Sequence, residues 1–110
     1  MCFFKKKTAA VRNKNDRDLI EENAKAIDAL LVLASADEVK TELKDLQEQI
    51  KYTTSLATDK AYAADKKIKH LIEDLKIEFV RDKEGDKAAA KINGLIKDLK
   101  LAVVERKNLI

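Results

Sequence analysis

From Val39 to Phe79, apolar side chains return every third or fourth residue with almost no slip. The series is Val39, Leu43, Leu46, Ile50, Thr53, Ala57, Ala61, Ala64, Ile68, Leu71, Leu75 and Phe79. Steps averaging close to the helical repeat place these residues in one stripe, so the region is expected to be helical and to bury that stripe. Ahead of it, Ile20, Ala24, Ile27, Leu31 and Ala34 form a similar stripe, flanked by Leu19 and Leu30. Leu30 to Leu33 is apolar on every side, which predicts an enclosed end. Behind it, Ala88, Ala89, Ile92, Leu95, Ile96, Leu99, Ala102 and Val103 form a third stripe.

Capping signals divide this pattern into four helices. Asn15 is a favourable N-cap and Asp16 and Asp18 put negative charge in the turn after it, so the first helix is predicted to start there. Ser35-Ala36-Asp37-Glu38 reads as a capping box, with Ser35 as cap and Glu38 reaching back, which separates the first two helices. A continuous helix across this point is the alternative. The stretch Tyr52 to Asp59 is poor in helix formers and offers Ser55 or Thr58 as a cap. A turn is expected there. Its competitor is one rod from Ala36 to Arg81, about 69 Å long at 1.5 Å per residue. Lys83-Glu84-Gly85 ends the third helix, with Gly85 at the C-cap and Asp86 capping the fourth.

The predicted fold is therefore all-α: a four-helix up-down-up-down bundle formed by residues 15–110, preceded by a flexible basic arm of residues 1–14. The alternative is three helices with a long central rod, paired as a coiled-coil dimer. Composition agrees with a helical chain. Of the 110 residues, 45% are hydrophobic and 39% charged, with no Pro and only two Gly. The turn-punctuated β-branched and aromatic runs of strands are missing.

Charge changes the picture at the two ends. Residues 1–14 carry Lys5, Lys6, Lys7, Arg12 and Lys14 with no acid, residues 15–36 sum to −3, residues 37–58 to −2, and residues 85–110 to +3. An acidic first half is expected beside a basic last helix. Phe3 and Phe4 followed by Lys5, Lys6 and Lys7 make a candidate contact for an anionic surface, with rings in the interface and ammonium groups on phosphates. Lys87, Lys91, Lys97, Lys100, Arg106 and Lys107 extend a weaker possibility, nonspecific contact with nucleic-acid phosphates. No helix-turn-helix with a basic recognition helix accompanies them. The longest apolar run, Ala29 to Ala34, is far short of the ~20 residues of a membrane span, and the one cysteine, Cys2, forms no internal disulfide. A cytoplasmic location is expected.

No set of residues carries recognisable catalysis. His70 is the only histidine and falls on the solvent side of its helix, with Glu73 one turn away. Two exposed ligands make a poor metal site, and a di-iron bundle needs a Glu-x-x-His pair on each of two helices. Glu42, Asp45 and Glu48, and Glu73, Asp74 and Glu78, alternate with lysines as a solvated face does. An enzyme, a metal and a cofactor are not expected. The leftover apolar residues are the more informative candidates. Ala90, Gly94, Leu101 and Val104 fall opposite the Ile92–Leu99 stripe, and Ile77, Val80 and Tyr62 are off-stripe on the third helix. Glycine within a helix costs about 1 kcal/mol relative to Ala, so Gly94 suggests close approach of another helix. The expected function is a non-catalytic interaction or scaffold module that associates with its own copies or with another helical protein.

Overall fold

The computed structural model of the chain describes residues 9–85 and 87–109. Four helices follow one another: α1 (Ala9–Leu33), α2 (Asp37–Lys51), α3 (Asp59–Lys83) and α4 (Ala89–Lys107). They form a four-helix bundle, and the turn expected near residue 55 is present, so the long-rod alternative is excluded. Among the described residues no helix is long and apolar enough to cross a membrane.

The boundaries depart from the capping signals at three places. First, α1 begins at Ala9, seven residues ahead of Asp16, the expected first helical residue, so residues 9–14 are helical and Asn15 lies inside the helix. Second, α2 is preceded by Ala36 in an extended conformation with no side-chain cap, so Ser35 does not close a capping box. Asp37 and Glu38 in the first turn oppose the helix dipole instead. Third, α4 starts at Ala89 with Ala88 as its cap residue, and the Ala88 N–H is held by the Asp82 carboxylate of α3 at 3.4 Å. Asp86, the expected cap, lies outside the described residues, as do Phe3, Phe4, Lys5, Lys6 and Lys7.

The other two signals operate as chemistry predicts. The Thr58 hydroxyl accepts the Ala61 N–H at 3.1 Å and starts α3. At the far end, Gly85 takes a φ of +101°, a left-handed turn that side chains with a Cβ disfavour.

Direction alternates along the chain, but the ring order is not sequential. In sequence α2 is followed by α3, yet α3 packs against α1 and α4, and α2 packs against α1 with a thinner contact to α4. The ring thus runs α1, α3, α4, α2, with α2 and α3 on a diagonal. The polar contacts give the relative directions. Gln47 Nε2 of α2 reaches the Ala24 carbonyl and Asp28 of α1, so these two are antiparallel. Asn23 of α1 bonds the Asp65 carbonyl of α3, while Leu33 and Phe79 line one cavity at the other end, so α1 and α3 run parallel. Residues 52–58 must cross the end of the bundle to connect α2 to α3.

The core fills the space between the four. Ile20, Ile27 and Leu30 of α1 meet Leu43, Leu46 and Ile50 of α2, Ile68, Ile72, Leu75 and Phe79 of α3, and Ile92, Ile96, Leu99, Ala102 and Val103 of α4. Leu30 rather than Leu31 is the deeper of that pair, and Ala89 is exposed. The end of α1 is not enclosed all round: Val32 is 80% exposed. Leu30, Ala34 and the half-buried Leu31 and Leu33 face inward, which leaves the fourth side to solvent.

Candidate functional site

Two features stand apart from this packing. One is buried and polar. Arg106, near the end of α4, is 1% exposed, and its guanidinium serves three partners. Its Nε–H is shared between both Asp65 carboxylate oxygens at 3.0 and 3.1 Å, a bifurcated bond across α3–α4. Its Nη2 donates to Asp16 Oδ2 of α1 at 2.9 Å and to the Thr54 carbonyl at 2.8 Å. Asp16 Oδ2 also accepts the Leu56 N–H at 2.8 Å, and Arg17 donates to the Thr53 carbonyl at 3.1 Å. Asn23, itself buried, donates to the backbone carbonyl of Asp65. The result is a clasp joining α1, α3, α4 and the crossover between α2 and α3.

The electrostatics of the clasp are uneven. Two carboxylates face one guanidinium with almost no solvent, and Asp16 Oδ1 and Arg106 Nη1 have no protein hydrogen-bond partner. Burial pushes the Asp65 carboxyl up to about 8, helped by its hydrogen bond to Asp16 and opposed by the charge of Arg106. The geometry performs no evident chemistry. Its bonds hold three helices and the crossover together.

Sequence reasoning missed this cluster, though a signal existed. Asp16 stands four before Ile20, Asn23 three after it, Asp65 four after Ala61 and three before Ile68, and Arg106 three after Val103. Each polar residue therefore keeps register with a buried stripe. Arg106, counted among the possible phosphate contacts, is instead sequestered, and that group loses its only arginine. Glu78 is likewise not solvated: it is buried against α4's side of α3, 3.5 Å from Arg81 Nη1.

The second feature is apolar and outside. Leu101 is 60% exposed, Val104 49% and Ile77 56%, and Ala90 and Gly94 are exposed with them. Ala90, Gly94, Leu101 and Val104 share one stripe along α4, as their spacing implies. Ile77 of α3 joins Gly94 and Leu95 in a groove of about 370 Å³, whose rim is Asp74, Glu78, Lys91 and Asp98. A Cβ added at Gly94 would meet nothing within 4 Å, so no packing inside this chain requires glycine there. Val80 and Tyr62 are also partly exposed on α3.

The remaining candidates are ordinary surface. His70 Nδ1 lies 3.2 Å from Glu73 on an exposed face. Among the described residues no group of three or more His, Cys, Asp or Glu is placed to hold a metal ion. Lys100 of α4 pairs with Glu42 of α2 at 3.3 Å, so the basic last helix does meet an acid of α2, whereas Lys67 of α3 pairs with Glu105 of α4 at 3.4 Å, the opposite sense. Comparison with known protein families, with characterised proteins and with solved structures gives no match to this chain.

Proposed function

We propose that this chain is a small non-catalytic helical interaction module that associates with a second copy of itself through the outer face of α4 and the adjoining edge of α3. Gly94 carries the argument. A glycine in mid-helix costs about 1 kcal/mol relative to Ala, and its own chain places nothing near the missing Cβ. Close approach by another helix gives that glycine a purpose, and Leu101 and Val104 extend the contact beyond it. Lys97 falls within the stripe, where its aliphatic stem adds apolar area. The groove rim carries both signs, Lys91 beside Asp74 and Asp98, which suits a self-complementary contact in which each patch meets its own copy.

Sedimentation velocity over a range of micromolar to millimolar concentration tests the reading. The wild-type chain is expected to sediment as a dimer at the upper end, and the Leu101→Glu, Val104→Glu double variant as a monomer throughout, with unchanged helicity. A wild-type chain that stays monomeric at millimolar concentration refutes it.

A further inference from the structure

The 53–58 connection has no regular structure, yet its backbone is gripped at three points by side chains from other elements. Arg17 holds the Thr53 carbonyl, Arg106 the Thr54 carbonyl, and Asp16 the Leu56 N–H. The charged groups facing this cluster are Asp16 and Arg17 from α1, Asp65 from α3 and Arg106 from α4. From α2 comes a backbone carbonyl, that of Gln49, which accepts the Thr53 hydroxyl at 2.7 Å. Asp45 and Glu48 of α2 and Lys107 of α4 line the solvent side of the same loop. Inside, two acids share one base, and Asp16, Asp65 and Arg106 are each at most 2% exposed. An unbalanced charge at that depth is strongly disfavoured, and the cheapest correction is a retained proton.

We propose that Asp16 and Asp65 together keep one proton in the folded chain, and that this proton latches the 53–58 crossover shut. With the proton in place the two carboxyls hydrogen-bond each other, and their single remaining charge balances the buried Arg106 guanidinium. When the proton leaves to solvent, two carboxylates repel each other beside a single guanidinium. Asp16 then loosens its hold on Leu56, Arg106 is drawn toward the acids and away from Thr54, and the crossover opens while the middle of the bundle stays packed. The shift of Asp65 agrees in direction: its carboxyl rises from 3.8 to about 8. The folded chain thus holds a proton that the unfolded chain has released, so the latch is tightest at acid pH, loosens as pH rises toward about 8 and loosens no further beyond it.

Amide hydrogen exchange on the full chain from pH 5.5 to 9, corrected for intrinsic exchange, reads the latch residue by residue. From pH 5.5 to about 8 the opening of Leu56 should grow by up to about tenfold per pH unit, the limit for release of one proton, and level off above that. Amides at Leu75 and Ile96, which exchange only through unfolding of the whole bundle, should stay far better protected than Leu56 at every pH. Asp65→Asn, which keeps a donor toward Asp16 without a titrating proton, should abolish the trend at Leu56. A wild-type Leu56 that is equally protected across the range overturns the proposal, as does an unchanged trend in Asp65→Asn. Should that variant fail to fold, the wild-type aspartate carboxyl carbon shifts decide. Resonances of the pair moving between pH 6.5 and 9 support the shared proton, and both settled below pH 5 exclude it.

Discussion

Replacing Arg106 with Met is expected to be the most damaging single change of a charged side chain in this protein. Methionine fills much of the arginine stem's volume, so packing is nearly kept and the loss is electrostatic. It removes the bifurcated bond to Asp65, the bond to Asp16 and the bond to the Thr54 carbonyl together. Asp16 and Asp65 then remain buried with no cation between them. Breaking a buried pair by deleting one partner costs about 3–5 kcal/mol, against a total stability of about 5–15 kcal/mol for a domain of this kind. Urea unfolding followed by circular dichroism measures it. With a urea slope of about 1.5 kcal/mol per M, the midpoint should fall by about 2–3 M. A fall below about 1 kcal/mol would refute the reasoning, because it would put Arg106 on a par with an exposed pair such as Lys67–Glu105.

Four further outcomes follow from single features. Gly94→Ala should stabilise the isolated chain by about 1 kcal/mol in thermal unfolding, because the added Cβ meets nothing, while weakening self-association in sedimentation. Thr58→Ala removes the bond to the Ala61 N–H and should cost about 1 kcal/mol in urea unfolding. Gly85→Ala forces a Cβ into a left-handed turn at φ +101° and should cost about 1–2 kcal/mol by the same assay, although nothing crowds the site. Finally, the Asp65 carboxyl, raised to about 8, contributes stability that is complete below pH 4 and is lost as pH rises to 8. Its contribution to the unfolding free energy should therefore fall by up to about 1.4 kcal/mol per pH unit across that window. The difference between wild type and Asp65→Asn in urea midpoints at several pH values isolates it.

Much of the fold was readable from spacing alone. The stripes through Ile20–Ile27, Leu43–Ile50, Ile68–Phe79 and Ile92–Val103 are the buried faces, and Thr58 and Gly85 mark real boundaries. Partner choice was not readable. A stripe shows which side of a helix is covered, not by which neighbour, and the phase continuing through Thr53 and Ala57 kept a single rod open as the alternative to the expected turn. In the bundle α2 and α3 lie on a diagonal instead. The residues that specify this order are the polar ones in core register, Asp16, Asn23, Asp65 and Arg106, whose bonds tie α1 to α3 and both to α4. A reading that follows only apolar residues passes over them. The outer face was visible in advance for the opposite reason: Leu101 and Val104 are apolar where the helix phase demands solvent.

Whether the outer face of α4 is what this chain presents to others can be seen most directly in an equal mixture of isotope-labelled and unlabelled chains at millimolar concentration. Intermolecular contacts filtered by label should appear at the Leu101 and Val104 methyl groups and around Gly94, and should vanish on dilution. Contacts confined to another surface, or none at any concentration, would contradict the account.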